Sequence, residues 1–187
     1  MKWQMAIACA VLGLGMLLNS STPVQAAQTG DTAAELVATE LSSNYSEQQK
    51  VIRKNAQIHS ASGLSTYLAK NESSDSPLNH LSPAARKRFV ESLKFNENGV
   101  TSFYYADIES QLTSSQAYAL LSLFGLQSTL QFMPKLRTTT DGDKEIMRAF
   151  GSGSTPGIPT PEDHNDYWCS GRATCSRNIG SICTGNC

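Results

Sequence analysis

Between Cys9 and Cys169 the chain has no cysteine, so whatever lies between them is held by an apolar core and not by disulfides. Nor is there a long hydrophobic run. The longest, Met5 to Leu18, falls short of the roughly 20 apolar residues that span a bilayer. No block of Lys and Arg is present and the net charge is −1, so the electrostatic footprint of a nucleic-acid binder is missing. The three histidines, His59, His80 and His164, are scattered. There is no GxSxG, no HExxH and no phosphate-cradling glycine loop, because Gly151-Ser152-Gly153 lies in a Pro/Ser-rich stretch. No enzyme, no catalytic residue, no cofactor and no metal is therefore expected. Two-residue alternation is also missing, which disfavours strands and predicts a mainly α protein.

What is present begins with an export signature. Lys2 provides a positive start, Met5 to Leu18 the apolar stretch, and Val24-Gln25-Ala26 the small-residue pattern before a cut. Residues 1–26 read as a signal peptide that removes Cys9, with signal peptidase as the first partner; a retained anchor is the competing reading. The mature protein is then secreted or periplasmic, where thiols oxidise. Its four remaining cysteines, Cys169, Cys175, Cys183 and Cys187, stand in the last nineteen residues with gaps of five, seven and three. With no CxxC pair and no histidine among them, they read as two disulfides and not as a zinc site. Three connectivities remain open. The neighbouring Ser170, Thr174, Ser176, Ser181 and Thr184 are raw material for thioether crosslinks, a route that an export signal disfavours.

Residues 27–137 read as a small helical domain. Asp31 caps a helix carrying Leu36, Val37 and Leu41, and Ser46 with Gln49 forms a capping box before Val51 and Ile52. Ser82-Pro83 starts a helix with Phe89, Val90 and Leu93 on one side and Arg86-Lys87-Arg88 on another, and Asn98-Gly99 breaks it. Phe103, Tyr104 and Ile108 suggest a further helix. Thr113 with Gln116 opens the most apolar one, through Leu120, Leu121 and Phe124, and Pro134 stops the pattern. Residues 138–163 read as a linker, most plainly the Pro/Gly-rich 151–163, open to a linker protease. Residues 164–187 form a short Cys-rich module. Asp163, His164 and Asp166 offer a weak metal set, against which a solvated loop is the simpler reading. Tyr167 and Trp168 either cover a disulfide or sit at a membrane interface or partner surface. With Arg172 and Arg177 they are the candidate target-binding residues.

Three stretches together resemble the bacteriocin fulvocin C-related proteins. They are Leu81-Ser82-Pro83 with Arg86 and Arg88, then Leu112-Thr113 with Gln116, then Asp166-Tyr167-Trp168-Cys169 through Cys175 to Ile182-Cys183-Thr184-Gly185-Asn186-Cys187. The resemblance implies an exported bacteriocin-like precursor whose C-terminal module is an antibacterial effector against a competing bacterium. Its four cysteines are fewer than that family's tails usually hold. The alternative is a non-enzymatic periplasmic or cell-surface binding protein whose stapled tail stays attached and recognises an envelope partner.

Overall fold

A computed structural model of the chain describes residues 28–70, 75–151 and 162–187. The expected signal peptide and most of the Pro/Gly-rich linker lie outside them. Helices α1 (Gln28–Lys54), α2 (Ala61–Lys70), α3 (Pro83–Ser92), α4 (Ala106–Gln111), α5 (Ser114–Ser122) and α6 (Asp141–Phe150) surround four strands, β1 (Lys94–Asn96), β2 (Gly99–Tyr104), β3 (His164–Gly171) and β4 (Thr174–Cys183). Short 3₁₀ turns run over Pro77–His80 and Gln127–Phe132.

The strands form one antiparallel sheet in the order β1-β2-β4-β3, so the expectation of a mainly α fold is corrected to α+β. β2 escaped detection because it is buried along nearly its whole length. A strand covered on both faces shows no polar alternation. Phe103 and Tyr104 belong to it and not to a helix. Asn98-Gly99 does end the α3 region, but as part of the turn of a β1–β2 hairpin with Asn96 opposite Gly99.

Other local signals act as their chemistry demands. The Ser82 hydroxyl accepts from the Ala85 amide at the start of α3, and Thr113 and Gln116 form a reciprocal capping box on α5. A second box, Thr140 with Asp143, starts α6. The buried Asp143 carboxylate also accepts from the amides of Ser115, Thr139 and Thr140. A bond from the Ser115 hydroxyl foremost, and then these amide bonds, hold it well below the usual carboxylate range despite burial. α6 occupies residues expected to be linker.

α1 runs unbroken, so Asp31 and Ser46 are interior positions and not caps. Ser46 is buried and its hydroxyl has no hydrogen-bond partner among the described residues. Leu36 and Leu41 point to solvent. The core instead lies under α3 and α5, where Phe89 meets Phe103 and Phe124 edge-on at 6.2 and 5.6 Å. Ile182 of the Cys-rich segment is fully buried in that same core.

Candidate functional site

The last residues do not form a separate module. β4 pairs with β2 through Ser102–Cys183, Phe103–Ile182 and Tyr104–Ser181. Beyond the pairing, the Thr184 amide donates to the Thr101 carbonyl at 2.8 Å, and its hydroxyl donates to the Val100 carbonyl at 2.7 Å. Asn186 reaches the Asn98 carbonyl at 2.8 Å. The segment is too short to build a core, so it completes one already there.

The β3–β4 hairpin is sharply bent. An extended strand would separate Cys175 from Cys183 by about 26 Å at some 3.3 Å per residue. Their Cα atoms are 6.0 Å apart. The bend falls where β3 has the single residue Asp166 between its pairings with Ile182 and Arg177, while β4 has Asn178 to Ser181. Asp166 has φ 63°, and Gly180 has φ 82° with no room for a Cβ, which would lie 2.7 Å from the Tyr104 ring. The Asp166 carboxylate accepts from the Gly180 amide at 2.9 Å and from the Tyr105 hydroxyl at 3.4 Å. Burial, then the charges of Asp166 and Glu109, push the Tyr105 phenol up to about 12.

Two disulfides hold the hairpin folded back. Cys169–Cys187 and Cys175–Cys183 each tie its outer half to the end of the chain, and this resolves the open connectivity. Cys183 is buried, and its sulfur lies within 4.8 Å of those of Cys169 and Cys187. All four thiols are consumed in these bonds, so the cluster offers no thiolate to a metal.

Two further contacts fix the hairpin. Lys94 on β1 donates to the Cys169 carbonyl at 3.1 Å, and its ammonium lies 3.5 Å from the centroid of the Trp168 ring. Because β1 and β3 are opposite edges of the sheet, one side chain bridges both edges. At the start of β3, Asp163 pairs with Arg53 of α1 at 2.6 Å, the side chains only 3% and 4% exposed. Asp163 also accepts from the Gly185 amide at 2.9 Å. The α1 backbone at Arg53 sits so close to Gly125 that a Cβ there would meet it at 2.9 Å. Asp163 and Asp166 are therefore structural anchors and not part of the solvated loop favoured for them, while His164 is exposed beside the Tyr167 ring.

The four expected target-binding residues are distributed over the hairpin. Tyr167 and Arg177 are cross-strand partners on one face. Trp168, opposite Ser176, faces the other way by strand alternation. Arg172 sits exposed in the turn. Tyr167 and Trp168 are 39% and 37% exposed, so each is half cover and half surface, and Ile179 beside the bend is 73% exposed. Sequence reasoning missed Lys94, Tyr104 and Asn178, which share with Trp168 a groove of about 360 Å³ between α3, β2 and the hairpin. No periodic signal marks them. Asn98-Gly99, read as a hairpin turn, would have placed Lys94 in a strand paired with β2.

Compared with family models, curated proteins and solved structures, the chain finds no match in any of the three. Two disulfides fit an oxidising environment, and no described helix is long and apolar enough to cross a membrane.

Proposed function

We propose that this is an exported, non-enzymatic binding protein of the periplasm or cell surface, whose recognition element is the stapled β3–β4 hairpin kept in place on the body. The observation that carries the reading is the hairpin itself. It is held by two disulfides, by β2 and by a buried ion pair, yet it keeps Tyr167, Trp168, Arg172, Arg177 and Ile179 at the surface. Rigid aromatic and arginine side chains bind with little entropy left to lose.

The same geometry weighs against the precursor reading. Release of residues 164–187 by a cut in the linker would strip Ile182 and Cys183 from the core and leave Phe103 without its strand partner. An antibacterial role, if the resemblance to the bacteriocin family extends to function, belongs on this reading to the whole folded chain.

The test is the intact mass of the exported protein with and without reductant, combined with capture of envelope components by wild type and by Y167A/R177A. The expected result is one uncleaved species that gains the hydrogens of two disulfides on reduction, with capture reduced in the double variant. A free C-terminal peptide in culture that inhibits bacterial growth, with the body left behind, overturns the reading.

A further inference from the structure

The groove beside Trp168 points to the ligand. Four parts of the fold contribute side chains to its lining, among them Glu91 from α3, Lys94 from β1, Tyr104 from β2, and Trp168 and Asn178 from the hairpin. Its volume of about 360 Å³ lies at the small end of ligand pockets. The Lys94 ammonium covers one face of the Trp168 ring and fixes it, so the opposite face is the flat apolar wall that Trp168 offers, with the ammonium reached past the ring edge. Asn178 spends its carbonyl oxygen on the Ser181 hydroxyl, which leaves its amide hydrogens to donate. Glu91 is an exposed carboxylate whose one ion pair among the described residues, with Lys87, is long at 3.8 Å. Arg88 also lines the groove but is committed to Asp107 through two hydrogen bonds. Lys94 differs: it touches a ring and a carbonyl, and none of the ion pairs of the described residues includes it.

A ligand that fits this set has a flat apolar face, a rim of groups that both donate and accept, and one negative charge. We propose that the groove binds a carboxylated sugar ring. The C–H face lies on Trp168, the hydroxyl or acetamido rim meets Asn178, Tyr104 and Glu91, and the carboxylate pairs with Lys94. A neutral sugar leaves the ammonium uncompensated. A simple carboxylate leaves the aromatic wall and the amide unused. The inference rests on the reading of the hairpin as a recognition element, and names its ligand class.

The chain has two tryptophans, Trp3 within the expected signal peptide and Trp168, so W3F makes Trp168 the only tryptophan whether or not that segment is retained, and excitation at the red edge of absorption reads it apart from the tyrosines. The oxidised full-length W3F protein is titrated with N-acetylmuramic acid, with N-acetylglucosamine, which has the related ring without the carboxylate, and with lactate, which has the carboxylate without the ring. The expected result is a saturable change in Trp168 emission with the carboxylated sugar, at a concentration about tenfold lower than with the neutral one, and no change with lactate. In K94Q the preference between the two sugars disappears. N178A, which leaves Lys94 in place, weakens both sugars by about threefold to tenfold, the range of one lost hydrogen bond.

Equal response to both sugars in wild type, lactate matching the carboxylated sugar, or no response to any of the three overturns the proposal. If these titrations fail while Y167A/R177A still abolishes envelope capture, the sugar site falls and the binding reading stands. If both fail, the reading of the hairpin falls with it.

Discussion

Removing the Asp163 carboxylate should cost more than any surface ion pair in the molecule. The Arg53–Asp163 contact is 2.6 Å long, and both side chains are almost wholly shielded from water. D163A leaves the guanidinium buried without a counter-charge and frees the Gly185 amide it had satisfied. Breaking one side of a buried pair costs about 3–5 kcal/mol, against about 1 kcal/mol or less for an exposed one. At some 2–4 °C per kcal/mol for a domain of this size, the melting temperature should fall by roughly 10–15 °C. The pair is not ideal, because the Arg53 Nε–H finds no hydrogen-bond partner among the described residues. Its attraction therefore only partly offsets the desolvation of two ions. The double variant R53M/D163L, which removes both charges and keeps most of the volume, should recover the greater part of the loss. Thermal and urea unfolding of the oxidised wild type, both singles and the double measure this cycle. A single-variant cost below about 1 kcal/mol, or a double that loses as much as the two singles together, refutes the argument that burial makes this pair costly to break.

Two further outcomes follow from the hairpin. Loss of Cys169–Cys187 or Cys175–Cys183 by paired alanine substitution should each cost about 3 kcal/mol from the entropy of loops closed over 18 and 8 residues, the longer loop slightly more. Denaturant unfolding measures the cost, and emission of Trp168 in W3F should shift red as it leaves the Lys94 clasp. The Tyr105 phenol, pushed up to about 12, should titrate well above an ordinary tyrosine in alkaline difference spectra. Its folded value is raised, so the stability it contributes is present below pH of about 10 and is lost between about 10 and 12 as it ionises. D166N removes the second-largest cause of the shift and should bring the titration down.

The parts of the fold that were legible in the sequence are those fixed by neighbours a few residues apart. Ser82-Pro83 and Thr113 with Gln116 start helices because a cap needs only the next turn of backbone to act. The cysteines read as disulfides because oxidation depends on compartment and count. What was hidden is what depends on residues far apart. β2 pairs with a strand some eighty positions later, and burial on both faces erased its alternation. Ser46 with Gln49 imitates a capping box inside α1, where neighbouring turns already satisfy the backbone. Tyr167, Trp168, Arg172 and Arg177 drew attention because of their chemistry. Only the fold brings Trp168 to Lys94 and separates it from Tyr167 and Arg177.

The disulfides also bear on how these distant parts meet. Both bonds lie wholly within residues 169–187, so they close short loops and can form without the body. Once they form, Gly180 and Ile182 lie within a loop closed between Cys175 and Cys183. A tail closed by these bonds has less entropy to lose in the long-range pairing with β2 than an open one. The body gains in turn, since Phe103 finds its strand partner and the Val100 carbonyl its donor in that segment. Tail and body each lack what the other provides: the tail has staples but no core, and the core has a gap shaped for the tail. This dependence is why the disulfides can be confined to one end of the chain, and why the surface they carry can be as rigid as the interior beneath it.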